Sequence, residues 1–315
     1  VIASYGDAII DLFASPIGAS IEDAQAFEPR LGGSTCNVAV IAARAGARVR
    51  FIGAVGPDAW GARLRAALAS ESIDLSTLVT IASTRTPVTF CASRADGTRS
   101  FLSYRNGGAD SAFALEHLAP EALEGVTWLH LASSSMRAEP RRSATEAVVS
   151  RALSKGVSIS IDLNVRPGVW PSRDAMRDAV RWLCARATLV KASDEDLSLL
   201  DEAPTVEALR ALAPQARALV LTRAERGADA WVDGARLHAD APSVTVVDSI
   251  GAGDAFVAAL LARLDAETEP FEPRRFERWL AQACRAGAWA VTAVGATEGV
   301  TSAHFATDEQ AHSVE

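Results

Sequence analysis

The 315-residue chain has little of what marks several large protein classes. Cysteine occurs only four times, as Cys36, Cys91, Cys184 and Cys284, with no C-x-x-C pair. That spacing excludes an ordinary zinc cluster and fits a reduced, cytoplasmic protein. No apolar run approaches the roughly 18 residues of a membrane span. The opening VIASYGDAIIDLF lacks a basic n-region and a small-residue cleavage site, so it reads as strand and not as signal peptide. Positive charge is also short. Lysine and arginine total 31 against 39 acidic residues, a net charge of −8, with a pI near 5.3. Nucleic-acid binding, which needs clustered cations, is therefore not expected. No G-x-x-x-x-G-K-[ST] phosphate loop is present, and no G-x-G-x-x-G follows the first strand, which argues against a P-loop enzyme and a dinucleotide-dependent dehydrogenase. There is no internal repeat, no low-complexity stretch and no linker, so residues 1–315 read as a single domain.

What is there is globular: 49% hydrophobic and 22% charged residues. Short β-branched strands alternate with alanine-rich helical stretches. Strands are expected around Ala8–Ile10, Val49–Gly53, Thr127–Leu131, Val157–Ile161, Thr188–Val190 and Ala218–Leu221. Helices are expected over Asn37–Ala45, Trp60–Ser70, Ala144–Lys155, Arg173–Ala185 and Val206–Leu212. This order predicts an α/β fold with a mostly parallel sheet flanked by helices on both faces. Ligands in such sheets bind beyond the carboxyl ends of the strands. Two stretches, about 14–31 and 86–106, lack helical period. With Asp96-Gly97 as a hairpin turn, they predict a small antiparallel β lid over the cleft. The polar tail from Asp308 is expected to fray.

The most informative stretch is VTVVDSIGAGDAFVAALLARL, residues 244–264. A strand over Val244–Val247 is expected to lead into Gly251, Ala252, Gly253 and Asp254, and then a helix. Glycines free the approach to the first-turn amides, which the helix dipole makes weakly positive; together they suit a phosphoryl group. Asp254 beside that hole can take a proton from a hydroxyl, or it can merely cap its helix. The dipole should lower its pKa. His130, ending an apolar strand, reads as a core histidine and not a base.

The segment Asp248-Ser249-Ile250-Gly251-Ala252-Gly253-Asp254-Ala255-Phe256 resembles the D-T-x-G-A-G-D-x-F signature of the PfkB, or ribokinase-like, family of carbohydrate kinases. Gly32-Gly33-Ser34-Thr35-Cys36-Asn37-Val38-Ala39 resembles its G-G-x-x-x-N-x-A segment, and residues 52–61, IGAVGPDAWG, resemble the I-G-x-V-G-x-D-x-x-G continuation. The resemblance spans nearly the whole chain. It implies a ribokinase-like fold and transfer of the γ-phosphoryl group of Mg-ATP to a primary hydroxyl of a sugar.

Carried over position by position, the resemblance gives Asp254 the role of base, with Gly251, Ala252 and Gly253 forming the anion hole. Asp11, Gly32, Gly33 and Asn37 would hold the sugar, although Asn37 could be only a helix-start residue. Tyr104 and Arg105 resemble a Y-R pair of fructokinases and 2-keto-3-deoxygluconate kinases; Arg105 would descend from the lid. Residues 161–170, IDLNVRPGVW, resemble the F-D-x-N-x-R-x-x-x-W stretch of the same two groups and supply Arg166, for a sugar oxygen, a carboxylate or the phosphate. Lys191 and Ser193 fall on an ATP-contacting segment in which Asp196 would organise magnesium through water. Glu195 is a rival, and S-x-x-D is also an ordinary helix start. Thr222 and Gly227 match an ATP-phosphate loop whose first glycine is Ala224 here, a residue that resists positive φ. Cys284 falls beside adenine. Potassium is expected near Asp248 and the 294–298 loop, and a homodimer through the lid. Fructose is the favoured acceptor because Ala109-Asp110 looks nearer to fructokinases. A 2-keto-3-deoxygluconate kinase and an inactive sugar-binding regulator of the same fold are the alternatives.

Overall fold

A computed structural model describes residues 1–93 and 99–310. Thirteen strands build two sheets: β1 Ile2–Tyr5, β2 Ile9–Ser15, β3 Ala26–Gly32, β4 Val49–Val55, β5 Leu78–Thr80, β6 Val88–Ser93, β7 Arg99–Tyr104, β8 Trp128–Ala132, β9 Ser158–Asp162, β10 Leu189–Ser193, β11 Ala218–Thr222, β12 Ala228–Val232 and β13 Ala235–Ala239. The helices are α1 Ser34–Arg44, α2 Ala59–Ser70, α3 Ala109–Ala112, α4 Arg141–Ser154, α5 Arg173–Cys184, α6 Asp194–Leu199, α7 Val206–Leu212, α8 Ala252–Ala266, α9 Pro273–Ala290 and α10 Ser302–Gln310.

The large sheet has the order β13-β12-β11-β10-β9-β8-β1-β4-β5. Its pairs are parallel except β11–β12 and β12–β13, which form a hairpin meander at one edge. Two apolar clusters cover its faces. One packs α1, α2, α8 and α9 on the sheet; the other packs α3, α4, α5 and α7. The expected α/β architecture, with helices on both faces, is what forms. α8 is buried over most of its length, and its alanines let it lie close to α1 and α9.

Three expectations need correction. The first strand is not continuous through Ile10. It stops at Tyr5, and after Gly6 to Ala8 the chain starts β2, which belongs to the small sheet. Only glycine fits at the break, because a Cβ on Gly6 would stand 2.0 Å from Thr35 Oγ1. Asp11 is therefore a lid residue.

The lid, ordered β3-β2-β6-β7, is mixed and not purely antiparallel, because β2 and β6 run parallel. The chain between them crosses the large domain through α1, β4, α2 and β5, so it returns in the same direction. The lid also starts at Ile9, earlier than expected, and the Asp96-Gly97 turn lies outside the described residues.

Val244–Val247 is not a strand. Among the described residues no strand pairs with it. The Val247 and Asp248 amides instead bond the Val291 carbonyl just past α9, and Val246 stays 63% exposed.

Candidate active site

Gly251 caps α8 with φ 83°, and a Cβ there would meet Ala296 at 2.5 Å. Only glycine fits this elbow. Asp248, buried just before it, accepts from Ile250 N at 3.2 Å and from Gly295 N at 3.1 Å, which ties the elbow to the 294–298 loop. Gly251 gives α8 no side-chain cap, so the helix's first-turn amides lack a capping oxygen from it.

Asp254 sits in that first turn but does not cap its own helix. Its Oδ1 accepts from Ser34 Oγ at 2.6 Å and its Oδ2 from Asn37 Nδ2 at 2.8 Å, both on α1. Burial raises its pKa, and the bonds from Ser34 and Asn37 with the charges of Lys191 and Arg166 pull it partly back. The expected lowering by the helix dipole is thus outweighed by desolvation. Arg166 is exposed and bonds its neighbour's carbonyl, Val165 O, at 2.9 Å.

Beneath the elbow, Lys191 on β10 meets Asp162 on β9, with Nζ 3.1 and 3.2 Å from its two oxygens. A Cβ on Gly253 would lie 2.8 Å from that Nζ. The ammonium therefore stands directly against the first turn of α8. Burial pushes Asp162 up to about 6, although Lys191 opposes it. Lys191 is raised: burial works against its charge, but Asp162, Asp196 and Asp254 outweigh that.

On the lid, Asp11 lies against Gly32, where a Cβ would meet its carboxyl carbon at 2.3 Å. Its carboxylate has no hydrogen-bond partner among the described residues and is only 8% exposed. Burial pushes it up to about 7; Arg105 opposes this, while Asp7, Asp254 and Glu298 add to it. Gly33, with φ 94°, caps α1, and its bare Cα lets the Asp7 carbonyl approach where a Cβ would be 2.3 Å away. Asn37 Oδ1 is buried without a partner. Two unsatisfied acceptors thus lie close to the held Asp254 carboxylate: Asn37 bonds it directly through Nδ2, and Asp254 is among the charges that act on Asp11, an arrangement that suits a ligand rich in hydroxyl donors.

Residues 1–303 match the family model described as pfkB family carbohydrate kinase. The chain belongs to this family. It is a phosphotransferase with an alcohol acceptor. The kinase is 35% identical over 295 residues to fructokinase of Klebsiella pneumoniae, covering 92% of this chain and 93% of that protein. Its backbone is similar to a fructokinase double mutant from Vibrio cholerae O395 in fructose-, ADP- and potassium-bound form, with TM-score 0.86, 27% identity and 97% of both chains covered. It is as similar to aminoimidazole riboside kinase from Salmonella enterica, complexed with aminoimidazole riboside and an ATP analogue, with TM-score 0.84, 27% identity and 97% and 98% coverage. The fold is ribokinase-like, as expected.

The remaining expected residues fall in three groups. Ser193 and Thr222 end β10 and β11, Gly227 precedes β12, Lys191 lies within β10 and Cys284 within α9. Ser193 and Thr222 are register partners, while Gly227 and Cys284 both abut the Ala239 carbonyl. Asp196 does not fit a direct magnesium ligand. Its oxygens accept from Val165 N at 2.7 Å and Ser193 N at 2.8 Å, closing a capping box on α6. Among the described residues no cluster of three or more ligating side chains offers a metal cage, and Glu195 is exposed. Tyr104 does not share the lid face of Asp11. Asp11, Thr89 and Ser103 are register partners on one lid face, and Tyr104 falls on the other, 62% exposed and edge-on to Phe90.

His130 is fully buried in the sheet against Ser160, and burial pushes its pKa down to about 3. Sequence reasoning missed Ser34, one clamp of Asp254, although it stands inside the G-G-x-x-x-N segment. It also gave no role to Asp7, which lies in the same short run as Asp11, or to Asp162.

Proposed function

We propose that the kinase transfers the γ-phosphoryl group of ATP to a primary hydroxyl of a ketose such as fructose. The observation that carries this reading is Asp254. It stands in the open first turn of α8, yet its carboxylate is held by α1, facing the end of the cleft that Asp11 shares. Asp11 and Asn37 Oδ1 accept hydrogen bonds from sugar hydroxyls, beside Gly32 and Gly33. Asp254 takes the hydroxyl proton, the sugar oxygen bonds to the γ-phosphorus, and the bond to the β-phosphate oxygen breaks to leave ADP. The amides of Ala252, Gly253 and Asp254, with Lys191 and Arg166, stabilise the moving charge. Positioning dominates in this loose transfer, so a modest base suffices.

ATP lies along Lys191, Ser193, Thr222 and Gly227, with adenine near Cys284. Magnesium travels on the nucleotide phosphates, with Asp196 within reach only through water. Potassium, present in the Vibrio relative, fits beside Asp248 and the 294–298 loop. The chain works as one kinase domain whose lid excludes water. The outer lid face, with Phe27, Phe90, Leu102 and Tyr104, supports a lid-to-lid homodimer; light scattering showing a monomer would overturn that point. Four free, buried thiols support a reducing compartment such as the cytoplasm, and among the described residues no helix is long and apolar enough to cross a membrane.

A coupled ADP-release assay over a sugar panel tests the reading. Sugar-dependent turnover, highest with fructose, supports it. Sugar binding without ADP release would instead support the inactive regulator.

A further inference from the structure

Arg105 follows β7 and is the one cation among the leading electrostatic influences on Asp11. It is already spoken for. Its Nη2 lies 2.5 Å from Asp7 Oδ2 and 2.6 Å from Asp110 Oδ2. Asp110 is pinned in turn: the same oxygen accepts from Arg137 at 2.9 Å, and its backbone carbonyl accepts from Arg141 at 2.6 Å. Asp110 is fully buried and Asp7 nearly so. A buried carboxylate that ion-pairs this closely is a fixed charge and not a solvated one.

We propose that Asp7 and Asp110 are specificity-determining residues: by claiming the Arg105 guanidinium they leave the sugar pocket without a free cation and set the kinase for uncharged ketoses over sugar acids. The inference rests on the sugar-kinase reading given for Asp11 and Asp254.

The charges around Asp11 point the same way. Arg105 is outnumbered there by Asp7, Asp254 and Glu298. Arg30, the lid neighbour of Asp11, is itself paired with Glu28 and Glu298. A substrate carboxylate entering this end would meet the carboxylates of Asp7, Asp254 and Glu298 around Asp11, and two guanidiniums already held in ion pairs, Arg105 and Arg30, each with a buried Nε that has no partner. A neutral polyol meets acceptors that its hydroxyls satisfy. Burial opposes ionisation of Asp7 and Asp110, but Arg105 and its neighbouring guanidiniums outweigh it and keep both carboxyls below the ordinary range. They remain charged throughout the neutral region. Arg166, the exposed cation of the cleft, bears on Asp254 at the phosphoryl end.

The test compares kcat/KM for fructose and 2-keto-3-deoxygluconate, measured by ADP release on the full chain. The wild type should favour fructose by about 100-fold. Asp7→Asn keeps an oxygen for Arg105 but removes one negative charge. It should cut that preference about tenfold and tighten inhibition by gluconate by a similar factor, while Asp7→Glu keeps the wild-type ratio. Asp110→Asn should act in the same direction. Should the loss of that buried partner unfold the chain, Asp7→Asn and the wild-type ratio still decide. A wild type that phosphorylates the acid as well as fructose would overturn the inference, as would a folded Asp7→Asn with unchanged selectivity. A wild type that releases ADP with no sugar at all would sink the sugar-kinase reading itself, a different result.

Discussion

Ser34 Oγ donates to Asp254 Oδ1 across 2.6 Å, joining the first residue of α1 to the first turn of α8. The bond stabilises the ionised carboxylate, which burial disfavours. Ser34→Ala should therefore raise the Asp254 pKa further. Because the proposed base works only when ionised, the acidic limb of the kcat–pH profile should move to higher pH. Ser34→Thr, which keeps the hydroxyl, should restore the wild-type limb. An unshifted limb in Ser34→Ala would show that the bond does not tune the base.

Asp11 makes stability depend on pH in the direction opposite to a paired carboxylate. Its pKa is about 7 in the fold against an ordinary 3.8. Between those values the folded chain holds a proton that the unfolded chain has lost, so rising pH favours unfolding. Asp11→Asn removes this loss. In thermal melts without sugar the variant should gain on the wild type by roughly 2 to 3 kcal/mol between pH 5 and pH 8. A gap independent of pH would contradict the assigned environment. The same variant should bind sugar far more weakly.

Gly253 gives the Lys191 ammonium its room. Alanine favours a helix over glycine by about 1 kcal/mol, so Gly253→Ala should not weaken α8. The new methyl would stand 2.8 Å from Nζ and displace it. The expected result is an unchanged melting curve with kcat reduced tenfold or more. At Gly251, where φ is 83° and Ala296 backbone blocks the Cβ, alanine should instead cost folded protein, seen as loss of soluble expression.

Ala224 adopts φ 51°, the left-handed region its methyl was expected to avoid. That backbone costs roughly 1 kcal/mol in an L-residue, partly offset by the lower entropy alanine has when unfolded. Ala224→Gly should raise stability by roughly 0.5 kcal/mol, read by denaturant melts. A destabilised variant would show that the surrounding turn relieves the strain.

The large sheet was legible in the sequence because its strands are β-branched runs and its helices alanine-rich, so local preference and burial agree. The elbow was legible through the resemblance of residues 248–256 to the D-T-x-G-A-G-D-x-F signature, since a glycine pair ahead of a helix is by itself a weak signal. What escaped depends on contacts between distant segments. The break after Tyr5 falls at Gly6, where Thr35, far along the chain, leaves no room for a Cβ. Val244–Val247 has strand composition but pairs with no strand among the described residues. The β2–β6 pairing is parallel only because of the route between them. Ser34 gains meaning once α1 meets α8. Tyr104 is a different case: strand alternation alone places it on the face opposite Ser103.

The most direct test of the account is Asp254→Asn, which keeps the shape and the Ser34 contact but removes the base. The account predicts a folded protein that still binds ATP and fructose, with sugar-dependent ADP release down at least 100-fold. Near-normal turnover in that folded variant would contradict it.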